Sequence, residues 1–172
     1  MIRTAAVLAA VLSAGCGIFG DRAPKIRKGS MVRIHYTLEV DGQRIDATYG
    51  RGPVEFQEGS GRVVQGLEEQ VLGLRAGGEK TIVVPPEKGY GLRDAGAVQR
   101  VPLSRFGNQA AKLRPGASIR GVRGGRLVSA RVLSVDRENA TLDFNHPYAG
   151  KTLTFKVKVI DVGSAGAARR RK

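Results

Sequence analysis

The residues with chemistry to offer gather around one stretch, residues 59–69, which reads GSGRVVQGLEE. A glycine-rich turn there delivers Val63 and Val64 to the mouth of a short amphipathic helix, and the combination reads as the floor of a pocket. Leu67, Val71 and Leu74 follow at spacings of three and four, on one helical face, and Gly73, Gly77 and Gly78 supply stop signals. An ordinary helix packed on a sheet gives the same pattern, so the flanking residues decide. Lys88-Gly89-Tyr90-Gly91 holds a tyrosine between two glycines, in a chain with 5% aromatic residues and no Trp. Asp46 ends a short polar strand. His35 and His146 have no nearby Cys or His partner, so neither a metal nor another cofactor is expected.

These residues need elements to hold them. Val32, Ile34, Tyr36, Leu38 and Val40 alternate with Arg33, His35, Thr37 and Glu39, the period of two expected of a half-buried strand. Asp41-Gly42 turns the chain into a short strand over residues 43–46, and a loop then leads to another over residues 54–57. Residues 79–84 are β-rich and stop at Pro85-Pro86. Leu153, Phe155, Val157 and Val159 alternate with Thr154, Lys156 and Lys158 as a last strand, as regular as the first. Two such strands at the ends with one helix between predict an α+β fold, an antiparallel sheet wrapped on that helix.

Between them, residues 98–143 change character. Val101-Pro102-Leu103 and Pro115-Gly116 read as turns, residues 119–122 and 126–135 as strands, and Gly124-Gly125 as their hairpin. Nine Lys and Arg face three Asp and Glu in this span, which reads as a small basic β subdomain inserted into the first fold. There is no internal repeat at a fixed period.

The 172 residues suffice for one domain or a domain with an insert, and 41% hydrophobic with 26% charged residues excludes a disordered chain. A formal charge of +14 favours acidic partners, nucleic acid or anionic membranes, or is plain solvated surface. No basic stretch is interleaved with stacking aromatics, so nucleic acid is not an expected partner. Cys16 is the only cysteine, which excludes an internal disulfide. It follows a short apolar run and Ser13-Ala14-Gly15, so residues 1–15 resemble a bacterial lipoprotein signal with Cys16 as the lipidated residue. The match is imperfect, because Leu12 lies four residues before the cysteine and the first region has only one charge, Arg3. Residues 16–29 read as a tether, with folding from Ser30, and residues 163–172 as a basic disordered tail.

Four separated motifs then add up: HYTLEVDGQRID at residues 35–46, GSGRVVQGLEE, GYG at residues 89–91 and NHPYAGKTLTFKVKV at residues 145–159. Together they resemble the FKBP-type peptidyl-prolyl cis-trans isomerases, and the insert beginning VQRVPLSRF looks like the SlyD branch, where a second small domain sits in the flap. The resemblance implies a discontinuous isomerase domain over residues 30–97 and 144–162, a half-barrel sheet on one short helix, with a chaperone-like insert over residues 98–143. It implies a prolyl pocket gripped by Val63, Val64, Leu67 and Phe155, a polar edge of Tyr36 and Asp46, the hydroxyl of Tyr90, and a rim of Ile45 and Val54. Leu67 stands where familiar members have tryptophan, and Ile45 and Val54 where they have aromatics. These changes widen the pocket, arguing against tight macrolide binding more than against isomerisation.

The insert is implied to gather unfolded, proline-containing polypeptides, through apolar residues such as Val101, Leu103, Phe106, Leu113 and Ile119. Some of these must form its own core, and the sequence does not sort them. Its basic surface favours acidic client segments. The expected protein is therefore a monomeric, lipid-anchored prolyl isomerase of the cell envelope that assists exported proteins. A holdase that has kept the fold without turnover is the alternative.

Overall fold

The pattern of alternating apolar residues in Met31–Val40 produces the central strand β1, whose Val32, Ile34, Leu38 and Val40 are buried. The computed structural model describes residues 23–164. Strand β1 pairs along one edge with β2 (Gln43–Ala47) at its C-terminal half and β3 (Val54–Gln57) at its N-terminal half. Its other edge pairs with β9 (Leu153–Gly163), which in turn pairs with β4 (Glu79–Val84), so all five strands form one antiparallel sheet. The turn at Asp41-Gly42 has φ of 51° and 77°, the left-handed pair that a tight hairpin needs. In β9 the register shifts where Arg33 faces Asp161 and Ile34 faces Val159. That bulge returns Val162 to the core after the exposed Ile160 and Asp161.

Helix α1 (Gln65–Val71) lies against this sheet and buries Leu67 and Val71. It is shorter than the periodicity suggests: the chain leaves the helix at Leu72, whose ψ is 135°, Gly73 continues the turn at φ 82°, and Leu74 packs on the core from a loop. Gly66 permits the close approach of α1 to β4, because a Cβ there would lie 2.6 Å from a methyl of buried Val84.

The folded unit begins before Ser30. Ile26 is 2% exposed within the main core, its amide donates to the Leu74 carbonyl at 2.8 Å, and its carbonyl accepts from the Gly73 amide at 2.9 Å. A single apolar residue without periodic neighbours gives no sequence signal, which is why this segment reads as tether. Cys16, residues 1–15 and residues 165–172 of the basic tail lie outside the described residues.

Residues between β4 and β9 build a second antiparallel sheet in the order β5-β8-β7-β6. Its strands are β5 (Val98–Pro102), β6 (Ser118–Arg123), β7 (Arg126–Val135) and β8 (Asn139–Asp143), joined in part by the 3-10 segment Leu103–Lys112. The span around Val101-Pro102, read as a turn, is thus an edge strand that ends on its proline, where no ladder amide is needed. Strand β8 has no sequence counterpart above. This sheet has a core of its own, with Leu113, Val132 and Leu142 buried and Val101, Leu103, Phe106 and Ile119 packed half-buried against it. The chain leaves and returns side by side, the Phe144 amide donating to the Ala97 carbonyl at 3.0 Å.

Candidate active site

Gly59 and Gly61, at φ 82° and 69°, bend the chain so that Val63 and Val64 stand at the start of α1. The bend is fastened from below by Glu68, a nearly buried helix residue whose carboxylate accepts from the Gly61 amide at 3.1 Å. No side chain caps the helix. The Val64 carbonyl opens it instead, accepting from the Leu67 and Glu68 amides at 3.0 and 3.2 Å. One turn further on, Leu67 is 1% exposed and closes the floor.

These residues line a cavity of about 710 Å³, with Phe155 from β9 and Tyr36 from β1 on the sheet side. The two rings meet edge to face, with centroids 5.6 Å apart. Asp46 and Tyr90 complete the lining, so the seven residues carried over from the motifs come together. Ile45 and Val54 do not line it; they pack partly buried against the main core.

The polar edge is a short network. The Tyr36 hydroxyl donates to Asp46 Oδ2 at 2.6 Å. Arg51 donates to the other carboxylate oxygen of Asp46 and to the Ala47 carbonyl. Burial, then the Asp46 bond, push the Tyr36 phenol up to about 12. Asp46 moves the opposite way, held below its ordinary value chiefly by the bond from Tyr36 and further by Arg51. Thr48, 3% exposed, locks the backbone behind them: its hydroxyl accepts from the Tyr36 amide at 2.9 Å and lies 3.0 Å from His35 Nδ1.

Tyr90 arrives on a loop that follows a 3-10 turn, Pro86–Lys88. Lys88 fixes that turn to the helix through Glu69 at 2.6 Å. The tyrosine ring stacks on His146, with centroids 3.8 Å apart and planes 14° from parallel. Burial holds the His146 imidazole below its ordinary pKa, so it is the neutral ring that stacks at pH 7. Among the described hydrogen bonds none involves the Tyr90 hydroxyl, which leaves it open to a ligand in the cavity.

Arg51, Thr48, Glu68 and His146 were not legible as site residues. Each acts on a residue that was, by fixing its carboxylate, its backbone, its turn or its ring. None stands at a spacing that marks a partner.

The sequence also has relatives of known family. The family model described as FKBP-type peptidyl-prolyl cis-trans isomerase matches residues 23–160. The chain belongs to that family. A short-type peptidyl-prolyl cis-trans isomerase of Methanocaldococcus jannaschii is 38% identical over 154 residues, covering 81% of this chain and 96% of the relative. A probable FKBP-type 16 kDa isomerase of Pseudomonas fluorescens is 33% identical, covering 80% and 92%. An FKBP-type isomerase named SlyD, from Helicobacter pylori, is 29% identical, covering 78% and 72%. An FKBP-type isomerase needs neither nucleophile nor general acid. The amide barrier of about 18–20 kcal/mol comes from resonance, and an apolar slot with a polar edge can lower it by holding the twisted bond better than either planar form.

Proposed function

We propose that the cavity beneath α1 is the prolyl site and that each residue carried over from the family works there in a distinct way. Val63, Val64, Leu67 and Phe155 grip the proline ring. Tyr36 and Asp46 present a fixed polar edge to the preceding carbonyl as it turns, and the Tyr90 hydroxyl bonds a neighbouring carbonyl of the substrate. The observation that carries this reading is the convergence of all seven side chains on one cavity, with the Tyr36–Asp46 bond already made. X-Pro bonds suit such a site, because they have a substantial cis population and isomerise unaided only in tens to hundreds of seconds.

The second sheet gathers unfolded clients and passes them to this site, and Cys16 carries a lipid that keeps the protein at the cell envelope, where it assists exported chains. The apolar run and the small residues before Cys16 support the lipid, and the independence of the second sheet supports client capture. The second sheet has its own core and hangs from two adjacent strands of chain. Only nine residues separate Cys16 from the buried Ile26, a leash of about 30 Å at full extension, so a lipid there would hold the domain close to the bilayer.

The test is refolding of a client limited by proline isomerisation, with the full chain as catalyst, beside fractionation of cells making wild type or Cys16→Ser. Faster refolding, and release of the Cys16→Ser protein from membranes, are the expected results. Suppressed aggregation without faster refolding would favour a holdase, and equal membrane retention of both forms would remove the lipid.

A further inference from the structure

The second sheet carries a cleft that the prolyl site does not use. It has a volume of about 960 Å³ and is walled by the 3-10 segment Leu103–Lys112 and by the edge strand β6. Its floor is apolar, built from Val101, Phe106, Leu113, Ile119, Val128 and Leu142. Leu113 and Leu142 are buried in the sheet's own core, so this floor is a fixed surface. On the β6 side Gly121 leaves it open, because a Cβ placed there would meet nothing within 4 Å.

The charge around this floor has one sign. Arg100, Arg105, Lys112 and Arg120 line the cleft, and no Asp or Glu does. Arg100 is occupied by Asp136 at 2.7 Å. Among the described residues, Arg105, Lys112 and Arg120 take part in no ion pair, although seven pairs besides that of Arg100 are formed away from the cleft. The prolyl cavity differs, since Asp46 and Glu68 line it together with Arg62.

We propose that this cleft captures extended polypeptide segments whose apolar side chains are flanked by Asp or Glu, so that the clients brought to the prolyl site are acidic ones. The proposal rests on client capture by the second sheet and adds its selectivity. An apolar floor binds without regard to charge, and the uncompensated cations around it decide the sign of the flanks. A nucleic-acid strand would meet the cations and leave the floor unfilled, and a bilayer surface does not enter a concave cleft. Each exposed ion pair changes affinity by a factor of about two to five. Three together give a preference of about tenfold or more at low salt, shrinking as salt screens them.

The experiment measures binding of the full chain to three proline-free fluorescent peptides that share one apolar core and carry Glu, Gln or Lys flanks. A proline-containing tetrapeptide, turned over by the same preparation, reports the prolyl site separately. The Glu peptide should bind about tenfold tighter than the Lys peptide, with the Gln peptide between them. The triple variant Arg105→Gln, Lys112→Gln, Arg120→Gln should bring all three within about twofold, and Gly121→Leu, which fills the cleft, should weaken all three. Melting curves report that the variants fold. Equal binding of Glu and Lys peptides would overturn the selectivity while leaving capture standing. A preference that survives the triple variant would assign it to the overall charge of +14 instead. Binding of no peptide, with the tetrapeptide still turned over, would remove capture itself. Tighter binding of poly(U) or anionic vesicles than of the Glu peptide, lost in the triple variant, would give the cleft to another partner.

Discussion

Tyr36 and Asp46 hold each other in fixed protonation states at the edge of the cavity, and their opposite displacements set a testable pH window. Asp46 has a folded value below its ordinary 3.8. Its contribution to stability is therefore present above that ordinary value and lost as pH falls through the lower folded one. Tyr36 is raised from 10.0 to about 12, so its contribution is present below 10 and lost as pH rises between those two values. Neither group titrates between pH 7 and 9, and His146, held below 6.5, is neutral there. The turnover of a tetrapeptide should accordingly vary less than about twofold across that range. A bell centred on neutral pH would show that a titrating group does the chemistry. Individual site residues were readable because each stood inside a distinctive local string, as Tyr90 does between its glycines. Their supports were not: Arg51 reaches Asp46 from a loop five residues later, and nothing in its surroundings distinguishes it from the other 28 Lys and Arg.

At the scale of elements, the approach of α1 to β4 depends on Gly66. Alanine there gains up to about 1 kcal/mol in helix propensity but forces its methyl into Val84, an overpacking that costs about 1–3 kcal/mol. Gly66→Ala should lower stability by roughly 1 kcal/mol net, a few degrees in Tm, and adding Val84→Ala should recover part of the clash. An unchanged Tm in Gly66→Ala would show that the helix can shift away from the sheet. Strands β1 and β9 were legible because one buried face imposes strict alternation. The end of α1 was not, since Leu74 keeps the helical spacing while Gly73 has already left the helix. Strand β8 escaped notice for a related reason: in its five residues Ala140 and Leu142 are buried on one face and Asp143 is buried as well, bonded to Arg93 and Asn145, so alternation fails at its end.

For the whole molecule, two separate cores imply two units that can be parted. Ala97 and Phe144 lie within a hydrogen bond of each other, so a short linker can replace residues 98–143 without stretching the main sheet. The shortened protein should fold and turn over a tetrapeptide within about threefold of wild type, while its catalysis of client refolding falls about tenfold or more. Equal losses in both assays would mean that the second sheet supports the prolyl site directly. The placement of this sheet between β4 and β9 was legible from its change in composition; its cleft was not, because an apolar floor and a one-signed rim come from residues scattered over four strands and a 3-10 segment.

The most direct measurement is kcat/KM for a proline-containing tetrapeptide, taken on wild type, Asp46→Ala and Tyr90→Phe, with melting curves on the same samples. Phe155→Ala is a poorer probe, since Phe155 is 4% exposed in the core and its truncation costs about 3–5 kcal/mol of stability. If the cavity is the prolyl site, wild type accelerates isomerisation, Asp46→Ala loses about tenfold, and Tyr90→Phe loses a smaller factor while all three remain folded. Folded variants that both match wild type would contradict the assignment and put the isomerisation outside this cavity.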